Sequence, residues 1–542
     1  MPSPVAAADI SRWLPASGWR ELAAAPTPAP EREPDVVLEA PEPFVLPPEN
    51  QGTEIIRSFV LPAAVLPGPV HISALRLDSA SAGNATHGMI RVDASFEARQ
   101  KDAADPEPGF PGHPQFPGVR RPSALAVGWT PWASVVAPGP GLGWRVVPDS
   151  DFVVTLHLKA GPGEVRVQPK LALWMDPNPP TSHLVTLRMS NEAVQIAEGS
   201  EDVSARDSFV FPAGSRLLAV YPEAGTAART FRLDLTIPDA QGNAFESVRL
   251  FEIPDWEPGQ QEWYRFQVPV EIPERARMDL QIRYAFPQDR PAGKGPIRWG
   301  ASPGDERGEA YLLLAVDREP ELFPMVKAAA MHQVGLGIEG AESRLGEDAS
   351  VHALLARLYA DLGEPDTAEA HGLKAVSLDA GDARAHAALG AVYLTRGHDF
   401  TAQQHLETAL RLDPDHAEAH YNLGNIYLRY GVPDKAYASF ARAVELDPRD
   451  SRFANNLGHL MLAKGQPKEA LEIFRAIVER NPYHAPATAN LGRALEMAGN
   501  TDEALAHYRR AMALAPAMTP SLLPVIQRAE AGKPVSKPPT PP

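Results

Sequence analysis

Residues 417–450 read AEAHYNLGNIYLRYGVPDKAYASFARAVELDPRD, and the 34 residues before them, ARAHAALGAVYLTRGHDFTAQQHLETALRLDPDH (383–416), align with them without a gap. The same register holds for five segments that begin at Ala349, Ala383, Ala417, Ser451 and Ala485. Position seven is then Leu355, Leu389, Leu423, Leu457 and Leu491, and position eight is Ala356, Gly390, Gly424, Gly458 and Gly492. Position twenty is Ala368, Ala402, Ala436, Ala470 and Ala504. Pro414, Pro448, Pro482 and Pro516 occupy position thirty-two in all but the first segment. Small residues at positions eight and twenty let two antiparallel helices approach closely. Gly363, Gly397, Gly431, Gly465 and Gly499 fall where the first helix of each pair should end in a left-handed residue. The prolines prevent the second helix from continuing.

This is the tetratricopeptide pattern, with Tyr393, Tyr427 and Phe440 at its aromatic positions. A single unit cannot bury its apolar face, so the units are expected to stack into an α-solenoid over 349–518, capped by a helix at 519–532. Positions two, five, six, nine and twelve of such repeats face the concave surface. Position six carries Asn422, Asn456 and Asn490, position nine adds Asn425, His459 and Arg493, and Tyr421 stands at position five. Each amide offers a donor and an acceptor, so this row suits an extended peptide backbone. A protein or peptide partner in the groove is the expectation.

The rest of the chain has a different texture. Residues 1–34 are an Ala/Pro-rich arm expected to be disordered, as is the tail at 533–542. From 35 to 318, short alternating runs such as Phe152-Val153-Val154-Thr155-Leu156-His157-Leu158 are separated by Pro and Gly clusters, the signature of an all-β fold. A break at 177–183 suggests two tandem antiparallel, jelly-roll-like β-sandwiches, at 35–182 and 183–318. The Pro- and Gly-rich segment 102–119 reads as an irregular loop. Residues 319–348 read as a helical connector that contains Gly335, Gly337 and Gly340. Those glycines fit the dinucleotide spacing, but no strand directly precedes them, which counts against a phosphate loop.

A net charge of −17 and a pI near 5.4 argue against a nucleic-acid partner. No apolar run reaches the ~18 residues of a membrane span. The absence of cysteine removes disulfides and thiolate metal sites. The H-E-x-x-H, G-x-S-x-G and Walker spacings are also missing.

The β region resembles the copper type II, ascorbate-dependent monooxygenases, the peptidylglycine hydroxylase family, in the form that bacteria join to tetratricopeptide repeats. The stretches that carry the resemblance are Asp35-Val36-Val37-Leu38, Pro43-Phe44-Val45-Leu46-Pro47, Asp105-Pro106-Glu107-Pro108-Gly109-Phe110 and Gly128-Trp129-Thr130-Pro131. Thr155-Leu156-His157-Leu158, Asp255-Trp256 with Gln261 and Tyr264, and Trp299-Gly300 with Asp305-Glu306 complete the set.

The resemblance implies two separated coppers, one held by three histidines and the other by a His-x-His pair and a methionine. Its first site maps onto Thr86-His87 and His157, so two of three imidazoles remain. Its second maps onto Glu223-Ala224-Gly225 and Arg307, where no family ligand survives. Glu223 and Arg307 could instead form an ion pair there.

The resemblance therefore implies the fold without the oxygen chemistry: a protein-interaction scaffold joined to a pseudoenzyme module. No cofactor is expected, or at most one copper at His87 and His157. The alternative is a copper monooxygenase with altered ligands that uses O2 and a reductant such as ascorbate. A metal- or carbohydrate-binding β module is a third reading. Family habit points to the periplasm, and an N-terminus without an apolar h-region points to the cytoplasm.

Overall fold

The alternating runs and the 34-residue period fold separately. The computed structural model describes residues 30–46, 54–62, 70–93, 110–111, 126–129, 135–139, 141–146, 151–159, 162–176, 180–238, 244–257, 261–288, 296–298, 306, 308–317, 319–343, 349–448, 450–480, 484–515 and 518–531. Two compact units result, Met1–Ser343 and Arg344–Pro542.

The first unit is β-rich. Its largest sheet has nine strands and runs in the order Val36–Glu39, Lys170–Asp176, Val70–Leu77, Leu142–Val146, Ser182–Ser190, Gly308–Val316, Ser215–Ala224 and Tyr264–Ile272. Val135–Val136 pairs off this path against Val70–Leu77. Among the described residues, the one parallel junction in the sheet joins Leu142 and Gly143 to Ser182 and His183. The division expected at 182/183 thus falls at the start of a strand, and the sheet runs on across it. A five-stranded sheet contains Phe110–Pro111, Glu54–Pro62, Asp151–Lys159, Ala85–Asp93 and Ala126–Trp129. A four-stranded sheet is built from Val203–Val210, Arg277–Tyr284, Ala228–Pro238 and Ala244–Ile253. Of the loop at 102–119, only Phe110–Pro111 lies within the described residues, as a short strand against Arg57 and Ser58. Of the arm expected at 1–34, residues 30–34 are described, and there the Arg32 carbonyl accepts from Trp174 Nε1 at 2.9 Å; residues 1–29 and the tail lie outside the described residues.

One core joins the five-stranded sheet to the largest one. Phe152, Val154, Leu156 and Leu158 pack with Leu171, Leu173, Trp144, Tyr221 and Tyr311. Successive strand side chains point to opposite faces, so the alternate residues Val153, Thr155 and His157 form a second buried row. In that row Val153 packs on Val60, and the hydroxyls of Thr155 and Ser58 are hydrogen-bonded at 2.8 Å.

The segment expected as a connector is a 25-residue helix, Glu319–Ser343, and it belongs to the first unit. Buried Arg188 donates to Glu309 at 3.0 and 3.1 Å, to Glu192 at 2.8 Å and to Gln333 of this helix at 3.3 Å. His332 meets Asp207 at 2.9 Å and Phe209 edge-on. Gly335, Gly337 and Gly340 lie inside the helix and make no phosphate-cradling turn at its start. None of the described helices is long and apolar enough to cross a membrane.

The second unit follows the period. First helices are Ala349–Leu362, Ala383–Thr395, Ala417–Arg429, Ser451–Ala463 and Ala485–Met497. Second helices are Pro365–Leu378, Asp399–Leu412, Pro433–Leu446, Pro467–Arg480 and Thr501–Leu514, and Thr519–Glu530 closes the array. The five glycines after the first helices all have positive φ, between 70° and 91°. Close approach is visible at position eight: a Cβ on Gly424 would lie 2.5 Å from the Phe440 ring.

Candidate functional site

The sequence indicates two sites, one in each unit. In the repeats, Tyr421, Asn425, Asn456, His459, Asn490 and Arg493 are all partly buried, whereas Asn422 is buried at 6% exposure. The amides do not form an open ladder. Asn456 Nδ2 donates to Asn425 Oδ1 at 2.9 Å, across the boundary between the third and fourth repeats. Asn490 Nδ2 donates to Asn455 Oδ1 at 3.0 Å across the next boundary. Asn455 stands at position five, and its only signal in the sequence is that it is a second amide beside Asn456.

The row therefore knits the repeats together and presents only part of its hydrogen-bonding capacity outward. Tyr421 lies beneath the Arg452 guanidinium, 5.2 Å from ring centroid to Cζ, and Arg452 pairs with Asp450 and Glu418. Burial and the charge of Arg493 hold the His459 pKa below its usual value. Burial also lowers that of Arg493, with Tyr508 and Glu496 opposing it and Arg528 reinforcing it.

The second site lies in the β unit. His157 and His87 are direct partners across neighbouring strands of the five-stranded sheet. Their rings stack with centroids 3.9 Å apart and planes 26° from parallel. Thr86, which the resemblance aligns with a histidine, hydrogen-bonds His87 Nδ1 at 3.1 Å and donates to the His157 carbonyl at 3.3 Å. The resemblance places Glu223 in a second, distant site. The structure instead brings Glu223, on strand Ser215–Ala224 of the largest sheet, to within 4.0 Å of His157 Nε2. One ligand atom from each of His87, His157 and Glu223 lies within 4.8 Å of the others. Burial, then the charges of Glu223 and Tyr311, push the Tyr221 phenol pKa well above its usual value.

The residues at the other expected copper position serve the backbone. Glu306 accepts hydrogen bonds from the amides of Gly225 and, at 3.0 Å, Ala227. Trp256 Nε1 donates to the Gly225 carbonyl at 3.2 Å, and Gln261 Nε2 donates to that of Ala224 at 3.1 Å. A Cβ on Gly225 would meet the Glu306 carboxylate at 2.8 Å, so an imidazole at this position would have to displace Glu306. A soft Cu(I) site does not fit here. Arg307, and with it the suggested ion pair to Glu223, lies outside the described residues.

Comparison with known proteins bears on the second unit. Residues 349–371, 401–460 and 450–517 match the tetratricopeptide-repeat family. The C-terminal unit is a tetratricopeptide-repeat array. Among solved structures, the chain is similar to YrrB, described as a TPR protein with an unusual peptide-binding site. Identity is 29% over 35% of this chain and 97% of that one, with a TM-score of 0.27. It is also similar to PilF of Pseudomonas aeruginosa, at 22% identity over 36% and 90% of the two chains and a TM-score of 0.28. MamA gives 23%, 32%, 96% and 0.26 for the same quantities. No similar protein is found among curated sequences. None of these matches is to the copper monooxygenases.

Proposed function

We propose that the protein is an interaction scaffold whose tetratricopeptide array holds a peptide segment of a partner. The observation that carries this reading is the row of partly buried polar side chains along consecutive first helices, Tyr421, Asn425, Asn456, His459, Asn490 and Arg493. Because the amide donors of Asn456 and Asn490 already bond between repeats, ligand specificity falls mainly on Tyr421, His459 and Arg493. Burial of Arg493 penalises its charge, and a carboxylate on the incoming peptide would offset that penalty. An acidic side chain or a free C-terminus is the expected feature of the ligand. Peptide display against the purified protein tests this: enriched sequences should carry such a carboxylate and lose binding to Arg493→Gln. Enrichment that survives both Arg493→Gln and His459→Ala would place the ligand elsewhere.

In the same reading the β unit is a degenerate copper monooxygenase-like module, two sandwiches that share the nine-stranded sheet and have lost the family's hydroxylation. The occupation of the second copper position by the Glu223-Ala224-Gly225 backbone and Glu306 supports it. The expected outcome is no ascorbate-driven oxygen uptake beyond that of free copper. Coupled hydroxylation of any glycine-extended peptide would overturn it.

A further inference from the structure

We propose that His87, His157 and Glu223 form a single site for a borderline divalent ion of the zinc class, with two imidazoles and one carboxylate as ligands. The inference goes beyond the scaffold reading and departs from the copper pattern. What is new is the third ligand. A neutral pair of imidazoles beside an anionic oxygen is the donor set of His2Glu zinc centres, and it contains no thioether or thiolate to favour Cu(I).

Three features make the set more than a coincidence of side chains. First, the two imidazoles sit at one register position of adjacent strands, so the sheet itself fixes their spacing. Second, the carboxylate comes from the other large sheet, on a strand end held by Glu306, Trp256 and Gln261 through backbone atoms 224–227. Glu223 itself is 4% exposed, so its carboxylate is held in place by the packing of the two sheets. Third, Thr86 holds His87 at Nδ1, the outer-shell contact that fixes ring orientation and tautomer in metal-binding histidines.

Binding requires the two imidazoles to turn, because the in-plane lone pairs of stacked rings run side by side and do not converge on one point. Tetrahedral donors at 2.0–2.1 Å from zinc lie about 3.4 Å apart. The His157–Glu223 separation of 4.0 Å and the 4.8 Å bound on the set close by side-chain rotation, which opens the ring stack. His87 is only partly buried, so solvent can reach the site and supply a remaining ligand.

The test is titration of full-length, chelator-treated protein with Zn(II), followed by Co(II) as a spectroscopic substitute. The wild type should bind one tight equivalent and melt at higher temperature when it is bound. Glu223→Gln, which keeps the side-chain volume, should weaken that equivalent by about 100-fold. Thr86→Ala should weaken it about 10-fold. X-ray absorption on the zinc-loaded wild type should show a nitrogen and oxygen shell with two imidazoles, a readout that no variant's folding can confuse. Histidine pairs in the repeats, His352 with His371 and His386 with His405, offer two ligands each, and any ion they take would be unaffected by Glu223→Gln. Absence of a tight equivalent, or equal affinity in Glu223→Gln, would overturn the proposal. The latter result would reduce the site to a two-histidine remnant.

Discussion

Gly424→Ala should destabilise the repeat array even though it replaces a helix-breaking residue with the best helix former. Gly424 lies within the first helix of the third repeat, and an added Cβ would meet ring atoms of Phe440 at 2.5, 2.7 and 3.0 Å. Phe440 is fully buried and packs against Tyr421 with ring centroids 5.7 Å apart, so it has nowhere to retreat. Ordinary contact begins near 3.4 Å, so the helices must separate by roughly 1 Å, which places the cost at the upper end of the ~1–3 kcal/mol of overpacking. The helix-propensity gain from glycine to alanine is ~1 kcal/mol. The net loss is about 1–2 kcal/mol, or a fall in melting temperature of ~2–8 °C for a unit of this size. Helical circular dichroism during heating measures it. Phe440→Leu removes the obstructing ring carbons, so Gly424→Ala should become neutral or stabilising in that background, with a coupling of 1 kcal/mol or more. Gly431→Ala serves as the control. It also destabilises, because its φ is +70° and alanine resists that region, but nothing lies within 4 Å and Phe440→Leu should not rescue it. Additive behaviour of Gly424→Ala and Phe440→Leu, or a higher melting temperature for Gly424→Ala alone, would refute the close-packing argument.

Three further outcomes are expected. Arg188→Ala should cost the β unit about 3–5 kcal/mol in denaturant unfolding, because it leaves buried Glu309 and Glu192 without their cation; an unchanged midpoint would contradict the network. Burial lowers the pKa of His405, His459, His484 and His507, with His386 adding to the shift at His405. The unfolded chain then binds more protons below its ordinary histidine pKa, so the array should keep its full stability above about pH 7.5 and lose it as pH falls through ~6.5, with a lower melting temperature at about pH 5.5. Asn456→Ala should lower the stability of the array by ~0.5–1.5 kcal/mol as well as altering any ligand binding, since its donor bridges two repeats; full retention of stability would show that the bridge contributes nothing.

The repeats were legible because every unit carries the same local instructions. Leucine, a small residue and glycine recur at fixed offsets, and helix starts at 349, 383, 417, 451 and 485 coincide with the segment starts. The short strand around 152–158 was also legible from alternation. Its partners were not, since strand pairing depends on contacts far apart in sequence. The junction between Leu142–Gly143 and Ser182–His183 is a case in point. The meeting of Glu223 with His157, 66 positions apart in sequence, depends on two sheets packing, and nothing local encodes it. The Asn row shows a different gap. Its position in the repeat was readable, but whether the amides turn outward or bond to the next repeat depends on the stacking between units. Glu309, within the otherwise apolar strand Gly308–Val316, is the visible sign of a buried network with Arg188 that ties the helix at 319–343 to the β unit.

The central claim, that the repeat groove holds a peptide of a partner, is tested most directly by site-specific photo-crosslinking in cells. A photoreactive phenylalanine analogue at His459, on a first helix, should trap a partner through one short segment that carries an acidic side chain or a free C-terminus. The same analogue at Phe400, on a second helix and 70% exposed, should not trap that segment. Equal trapping from both positions, or none from His459 in a folded protein, would contradict the account.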